Sequence, residues 1–374
     1  MKELFSENIS KEYDVIVCGG GPAGCCAAIS ASRAGMSTLL IEATSALGGM
    51  GTMGMVSAFA PFTDGEKLIY SSLPLEILTR YKKRMNIPEW KWEWIKLSPE
   101  DLKRVYDDIT AESKTDVLFQ SIVCSAETEN GRIKQIYAAN KSGITAYRAK
   151  VYIDCTGDGD LAAYCGVPFE MGQDGEVQSA SLCFAISNVD TDKINTKINS
   201  NFDDGIWPKI IADGKYPLIS RHFIPVYFGD TLIVNGGHLF IENPTDTGEI
   251  SRAYILGRQT AEQYLAALKE YLPEAFSDSF PDGASAMKSP EIHTGLTVTR
   301  QAAAKKLLRQ VQMTTIKRVT VTVYLSDVLF PKALKICLLQ VAAFRLKELF
   351  YPAQELCQTA LQQARRQVSE PPLP

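Results

Sequence analysis

Apolar positions fall in short dense blocks near the start of the chain and at helical spacing farther on. Residues Tyr13 to Cys18 (YDVIVC) form a β-branched apolar run, the composition of a parallel strand buried on both faces. Ala27 to Ala34 has helix composition, and Ser37 to Ile41 (STLLI) is a second strand-like run. Strand, helix and strand in this order predict a βαβ unit and a parallel sheet. Farther on, Asp116 to Val123 reads as a strand, Arg132 to Asn140 and Gly143 to Tyr147 as a hairpin, and Lys150 to Asp154 as another strand. Leu73 to Met85 reads as a helix. Trp90, Trp92 and Trp94 alternate as on a strand, which suits either a half-buried face or an aromatic substrate platform. Glu249 to Tyr271 predicts a long helix, with Ile250, Tyr254, Ala261, Tyr264, Leu265 and Leu268 along one side. Gly257 falls on that side, where it weakens the helix slightly but lets another element pack close.

Between the first strand and its helix, Gly19, Gly21 and Gly24 stand at GxGxxG spacing. The first glycine permits a tight turn, the second lets backbone approach a pyrophosphate, and the third lets helix and strand pack closely. The helix start, with Pro22 and Ala23, directs free N–H groups and a positive dipole end at the phosphates. The second strand ends at Glu42, followed by Ala43; a carboxylate there is placed to accept ribose hydroxyls and disfavours a 2′-phosphate. These residues predict a dinucleotide site, with FAD or NAD favoured over NADP.

Composition changes this picture little. The chain of 374 residues suits two domains or one large α/β domain with an insertion. An apolar share of 45%, a charged share of 22% and a net charge of -4 give no reason to expect nucleic acid or an anionic membrane as partner. The nine cysteines include no CxxC pair, so neither a disulfide framework nor a zinc site is indicated and a reducing cytoplasm is expected. No apolar run reaches eighteen residues, and the N-terminus is too polar for a signal peptide.

Leu47 to Val56 (LGGMGTMGMV) is a second glycine-rich stretch, readable as a flexible connection or as a loop passing beside a flavin. An Asp-rich turn, Thr156-Gly157-Asp158-Gly159-Asp160, follows the strand at 150–154; it lacks the later acids of a calcium loop. With DVIVCGGGPAGCCAAISASRAGMSTLLIE, LSPEDLKRVYDDI, DVLFQSIV and VYIDCTGDGDLAAYCGVPFE, these stretches resemble the bacterial FAD-dependent oxidoreductases grouped near succinate dehydrogenase and fumarate reductase flavoproteins. Looser similarity continues through NGGHLFIENPTDTGEISRAYILGR to about Arg300. The resemblance implies FAD as cofactor and a Rossmann-like parallel-sheet FAD domain over 1–166, with an excursion at about 57–100. It implies an inserted α+β substrate domain over 167–303. It further implies that Gly48, Gly49, Met50 and Thr52 lie along the flavin, that Val123 offers its backbone to adenine, and that Thr156, Gly157 and Asp158 close over the pyrophosphate side. A redox cysteine pair is absent from the loop after Glu42, which sets disulfide-reductase chemistry aside; Cys25 and Cys26 are expected to pack as small apolar residues.

All three histidines, His222, His238 and His293, fall in the substrate region. A hydride-transfer flavoenzyme needs a base or cation near the flavin. Relatives commonly read G-(V/I)-R-E-(S/T)-R where this chain has Gly295 to Arg300, so His293 and Arg300 are the catalytic candidates, against a merely structural role. The expected partner is a small-molecule substrate. Competing readings are a non-catalytic remnant and an NAD-dependent dehydrogenase, the latter opposed by the second glycine loop.

After about Lys305 the resemblance stops. Relatives carry a strand like LLVAGR, then RVMPNC, then a helix like ATGQAAG. Taking the third base of each codon from Ser326 with the first two of the next permits RCLIPKGLKNLLVAGRCIS, followed by similar matches to the other two segments. The expectation is therefore a frame change between roughly Ala304 and Ser326, an aberrant segment over 304–374, and loss of the C-terminal return to the FAD domain. A divergent helical extension is the alternative.

Overall fold

The computed structural model describes residues 11–169, 171, 179–194, 205–220, 224–281 and 336–338. The first part of the chain contributes β1 (Tyr13–Cys18), α1 (Pro22–Arg33), β2 (Thr38–Ile41), β3 (Ala58–Phe59), α2 (Ser72–Arg84), β4 (Ile95–Lys96), α3 (Pro99–Ser113) and β5 (Asp116–Leu118). An antiparallel meander follows, β6 (Ile122–Glu129), β7 (Arg132–Asn140) and β8 (Gly143–Tyr147), then β9 (Ala149–Asp154) and α4 (Asp160–Tyr164). The second part contributes β10 (Ala180–Ser187), α5 (Ile206–Asp213), β11 (Ile224–Phe228), β12 (Thr231–Leu239), α6 (Thr247–Tyr271), α7 (Pro273–Phe276) and β13 (Phe280–Pro281). Last comes β14 (Ile336–Leu338).

The first sheet is wholly parallel, in the order β14-β9-β1-β2-β5. Its strands are apolar on both faces because both faces are covered. Val15, Val17, Leu40 and Ile153 join α1, α2 and α3 in one core. Ile16, Cys18, Leu39, Ile41 and Tyr152 point the other way, into a core shared with the meander and Leu161 of α4. The strand order grows outward from β1 in both directions, through β2 and β5 on one side and β9 on the other. The crevice beyond the carboxyl ends of β1 and β9 is thus the topological switch point, where open α/β sheets bind ligands.

Three sequence expectations need correction. The strand expected over 116–123 is two strands in two sheets: β5 stops at Leu118 and β6 starts at Ile122. Between them Gln120 takes φ +49°, and the amides of Gln120 and Ser121 donate to the carbonyls of Thr44 and Glu42. The chain is pinned to the end of β2 while it changes sheets. The three tryptophans do not lie on a strand. Trp92 stacks on the Lys82 ammonium at 3.7 Å, while Trp90 and Trp94 are 77% and 60% exposed. The buried line of α6 runs through Ala253, Gly257, Thr260, Tyr264, Ala267 and Leu268, so Ile250, Tyr254, Ala261 and Leu265 are only partly covered.

Of the C-terminal segment one short stretch is described. Ile336–Leu338 lies inside 304–374 and pairs in parallel with Tyr152–Asp154 of β9, completing a fifth strand. In the shifted frame the LLV of LLVAGR falls across the codons of residues 336–339. The stretch is therefore apolar in either frame, which is the property a strand beside β9 requires.

The second sheet is antiparallel, β11-β12-β10-β13. Leu232, Val234 and Ile186 pack with Trp207 of α5, Tyr264 and Leu268 of α6, and Phe276 of α7. Gly257 is needed on α6: a Cβ there would stand 2.9 Å from Leu182 Cδ2 and 3.1 Å from Leu239 Cδ1.

Candidate functional site

Four segments meet at the carboxyl ends of β1, β2 and β9. The turn after β1 is fixed from several sides. Gly19 takes φ +98°, and a Cβ on it would fall 2.2 Å from the Cys155 carbonyl oxygen; on Gly24 it would fall 1.8 Å from the Gly19 oxygen. These two glycines let the turn touch β9 and let α1 pack against the turn. Gly20 is equally enclosed, by Leu47 and Glu42. Gly21 differs: nothing lies within 4 Å of its Cβ direction. It is the N-cap of α1, followed by Pro22, with no side-chain cap and no acid in the first turn. The dipole end of α1 is therefore left uncompensated beside an opening. Pro22 is exposed and Ala23 partly so.

Glu42 is buried at the end of β2. Its Oε2 accepts from the Gly20 amide at 2.6 Å, and its Oε1 accepts from the amide and hydroxyl of Thr44, each at 2.7 Å. Ala43 beside it is exposed. The second glycine loop leans on the first. Gly48, at φ +99°, donates to the Gly20 carbonyl at 2.8 Å, and Gly49 approaches the Gly21 Cα closely enough that a Cβ would stand 3.0 Å away. Gly49–Gly51 forms a 3₁₀ turn. Met50 is partly exposed, and its carbonyl accepts from the Val56 amide. Thr52 is fully buried; its hydroxyl bonds the carbonyls of Leu47 at 2.7 Å and Gly49 at 3.2 Å, so it shapes the loop from behind.

On the β9 side, Thr156 is held rather than presented. Its amide and hydroxyl donate to Asp154 Oδ1 at 3.0 and 2.7 Å, and its hydroxyl accepts from the Asp160 amide at 2.8 Å. Asp154 Oδ2 accepts from the Ala162 amide at 2.9 Å. Burial pushes the Asp154 carboxyl above the ordinary carboxylate range, against these hydrogen bonds, which favour its charged form. Gly157 is exposed at φ +94° and Asp158 is partly exposed. No acidic or His/Cys cluster able to hold a metal occurs among the described residues. Val123 is buried, in register with Ala138 in the meander.

The structure thus brings Gly19, Gly21, Pro22, Ala23, Gly24, Glu42, Ala43, Gly48, Gly49, Met50, Thr52, Thr156, Gly157 and Asp158 to one region around the ends of the parallel strands. His293, Arg300 and His222 lie outside the described residues. Sequence reasoning missed Gly20, Cys25 and Asp154. The Cys25 thiol is buried and donates to the Gly20 carbonyl at 3.1 Å, and burial raises it well above the usual thiol range. A hydrogen-bonding acid ending a buried strand was the available signal for Asp154.

The sequence profile of the family described as "FAD dependent oxidoreductase" matches residues 14–318. The chain belongs to this family. The flavoenzyme binds FAD and is an oxidoreductase. Its fold is similar to that of p-nitrophenol 4-monooxygenase PnpA from Pseudomonas putida DLL-E4, at 12% identity over 96% of this chain and 82% of that one, with a TM-score of 0.54. It is also similar to CabE, an aromatic hydroxylase from angucycline biosynthesis, at 13% identity over 97% of this chain and 64% of that one, with a TM-score of 0.50. At these identities the likeness is one of fold. Comparison with curated protein sequences gives no match. Among the described residues no helix is long and apolar enough to cross a membrane.

Proposed function

We propose that the enzyme moves hydride between a small organic substrate and N5 of the flavin, with residues 1–166 holding FAD and residues 167–303 holding substrate. The observation that carries the reading is the contrast within one turn. Gly19, Gly20 and Gly24 have no room for a Cβ, while Gly21 faces open space at the uncompensated start of α1. That is the cradle a pyrophosphate requires. Glu42 would hold the adenosine ribose, the loop from Gly48 to Thr52 would lie along the flavin, and Val123 would offer its backbone to adenine. Thr156, Gly157 and Asp158 would close the pyrophosphate side. When bound, FAD supplies the two-electron acceptor or donor; the protein supplies orientation, charge and exclusion of water. His293 and Arg300 are proposed to move the proton and hold an anionic substrate group.

A second reading is favoured by a specific observation. The family match ends at residue 318, inside the interval 304–326 where a frame change restores a relative-like tail. This supports an out-of-frame segment from there on, and hence a flavin site lacking its usual C-terminal wall. Expressing the chain beside a frame-restored version decides between the two. Retention of visible flavin absorbance by the chain as written supports the working enzyme. A colourless product beside a yellow frame-restored one supports the remnant. A gene whose other frame does not encode an LLVAGR-like strand removes the frame-change reading.

A further inference from the structure

On α6, Arg252, Ile255, Gln259, Glu262 and Ala266 are all exposed and follow one another at three- and four-residue spacing. They form one stripe, on the side away from the buried line through Ala253, Gly257, Thr260 and Tyr264. The stripe carries a cation near its start and an anion about 15 Å farther along the helix. Neither Arg252 nor Glu262 is in an ion pair among the described residues. Between the charges stands Ile255, 53% exposed, with Leu256 at the edge of the stripe.

That edge borders a cavity. β12 bulges at Gly236-Gly237: Ala180 of β10 stands opposite Leu239 but Leu182 stands opposite Gly236, so β12 spends one extra residue. Beyond the bulge Leu239 packs against α6 in one cluster with Ala253. An open cavity of about 440 Å³ lies between Leu239 and Phe240 of β12 and Ala253 and Leu256 of α6, with Glu249 and Arg252 also lining it. Phe240 is 80% exposed. Single exposed apolar residues are ordinary, but Phe240 and Leu256 share this cavity and Ile255 adjoins Leu256. The three make one apolar patch, the kind of surface that marks an interaction site.

We propose that this stripe is the contact between two copies of the chain, packed about a two-fold axis with their α6 helices antiparallel. An axis crossing near Gly257 sets positions equally far from it, in opposite directions, against one another. Arg252 then meets the partner's Glu262, and Glu262 meets the partner's Arg252, so one stripe supplies two ion pairs. Ile255 faces the partner's Gln259, with Leu256 and Phe240 beside it. The order of charges selects a second copy as the occupant, because the stripe read in reverse complements itself. A small ligand in the cavity would leave Ile255 and Glu262 uncovered. The contact does not depend on the flavin reading.

The test is sedimentation equilibrium of the full chain over a wide range of concentration, with a thermal melt of each variant. The expected result is a dimer that dissociates on dilution. Ile255→Glu, at an exposed position, should melt as a monomer much as the unmodified one does, yet raise the dimer Kd by about 30-fold or more, since two apolar contacts are lost. Arg252→Glu and Glu262→Arg should each raise the Kd by about tenfold, each placing like charges together twice. Combined in one chain they should restore the unmodified Kd, because the contact is rebuilt with its charges exchanged. A monomer at every concentration overturns the proposal, whether a ligand or another segment of this chain covers the face. So does a dimer indifferent to Ile255→Glu, or a double variant no tighter than the single ones.

Discussion

Consider alanine at Gly24 and, separately, at Gly21. At Gly24 the new Cβ lands 1.8 Å from the Gly19 carbonyl oxygen and 3.2 Å from the Cys155 Cβ, where ordinary contact begins at 3.4 Å. The nearest obstacle is backbone, so α1 must move away from the β1 turn by about 1.6 Å. Overpacking of this kind costs about 1–3 kcal/mol, and a backbone obstacle argues for the upper end. For a domain of this size the melting temperature should fall by about 5–10 °C. At Gly21 the same methyl meets no atom within 4 Å, and φ of -66° suits alanine. Stability should change by less than about 1 kcal/mol, since the small N-cap loss opposes the gain from a stiffer unfolded chain. The methyl instead enters the space the pyrophosphate needs, weakening FAD by about 1–3 kcal/mol, or about five- to 150-fold in Kd. Thermal melts of the ligand-free proteins and titration by flavin fluorescence separate the two effects. A Gly21→Ala protein that binds FAD as tightly as the unmodified one, or a Gly24→Ala protein that melts unchanged, refutes the reasoning.

Three further outcomes are expected. Gly257→Val should destabilise the second part of the chain by about 1–3 kcal/mol through Leu182 and Leu239 and leave the FAD Kd unchanged, as read by denaturant melts beside flavin titration. Glu76 accepts a two-pronged bond from Arg33 at 2.6 and 2.9 Å, which, with Arg80, holds its carboxyl below the usual range. A carboxyl lowered in the folded state adds stability above its unfolded pKa and loses it as pH falls through the folded one. Glu76→Gln should therefore cost about 0.5–1 kcal/mol near neutrality and nothing in acid, measured as stability against pH. Asp154→Asn places an amide donor against an N–H of Ala162 or Thr156; a stability loss of about 1–3 kcal/mol and weaker FAD binding should follow, checked by the same melts and titrations.

The front of the fold was legible because its residues answer to local rules. Buried parallel strands need continuous apolar runs, and β1 and β2 stand where those runs lie. The glycine turn was legible because close backbone approaches at Gly19 and Gly24 exclude a side chain at fixed spacing, with the open Gly21 between them. What escaped was set by contacts distant in sequence. The break at Phe119–Ser121 depends on carbonyls of Thr44 and Glu42 at the end of another strand, which no window around it contains. The tryptophans alternate like a strand, but Lys82, buried beneath Trp92 with its ammonium on the Glu89 carbonyl, holds that stretch as a loop. The bulge in β12 is written only as Gly236-Gly237, a pair whose meaning depends on the register of β10.

Gly20 has a role out of proportion to its size. Its amide binds Glu42, while its carbonyl receives both the Gly48 amide and the Cys25 thiol. A residue without a side chain thus links the end proposed for the adenosine ribose to the loop proposed for the flavin ring. Whatever tightens one end restrains the other through two peptide groups. The two halves of a dinucleotide should accordingly bind with positive cooperativity, each paying part of the ordering the other needs.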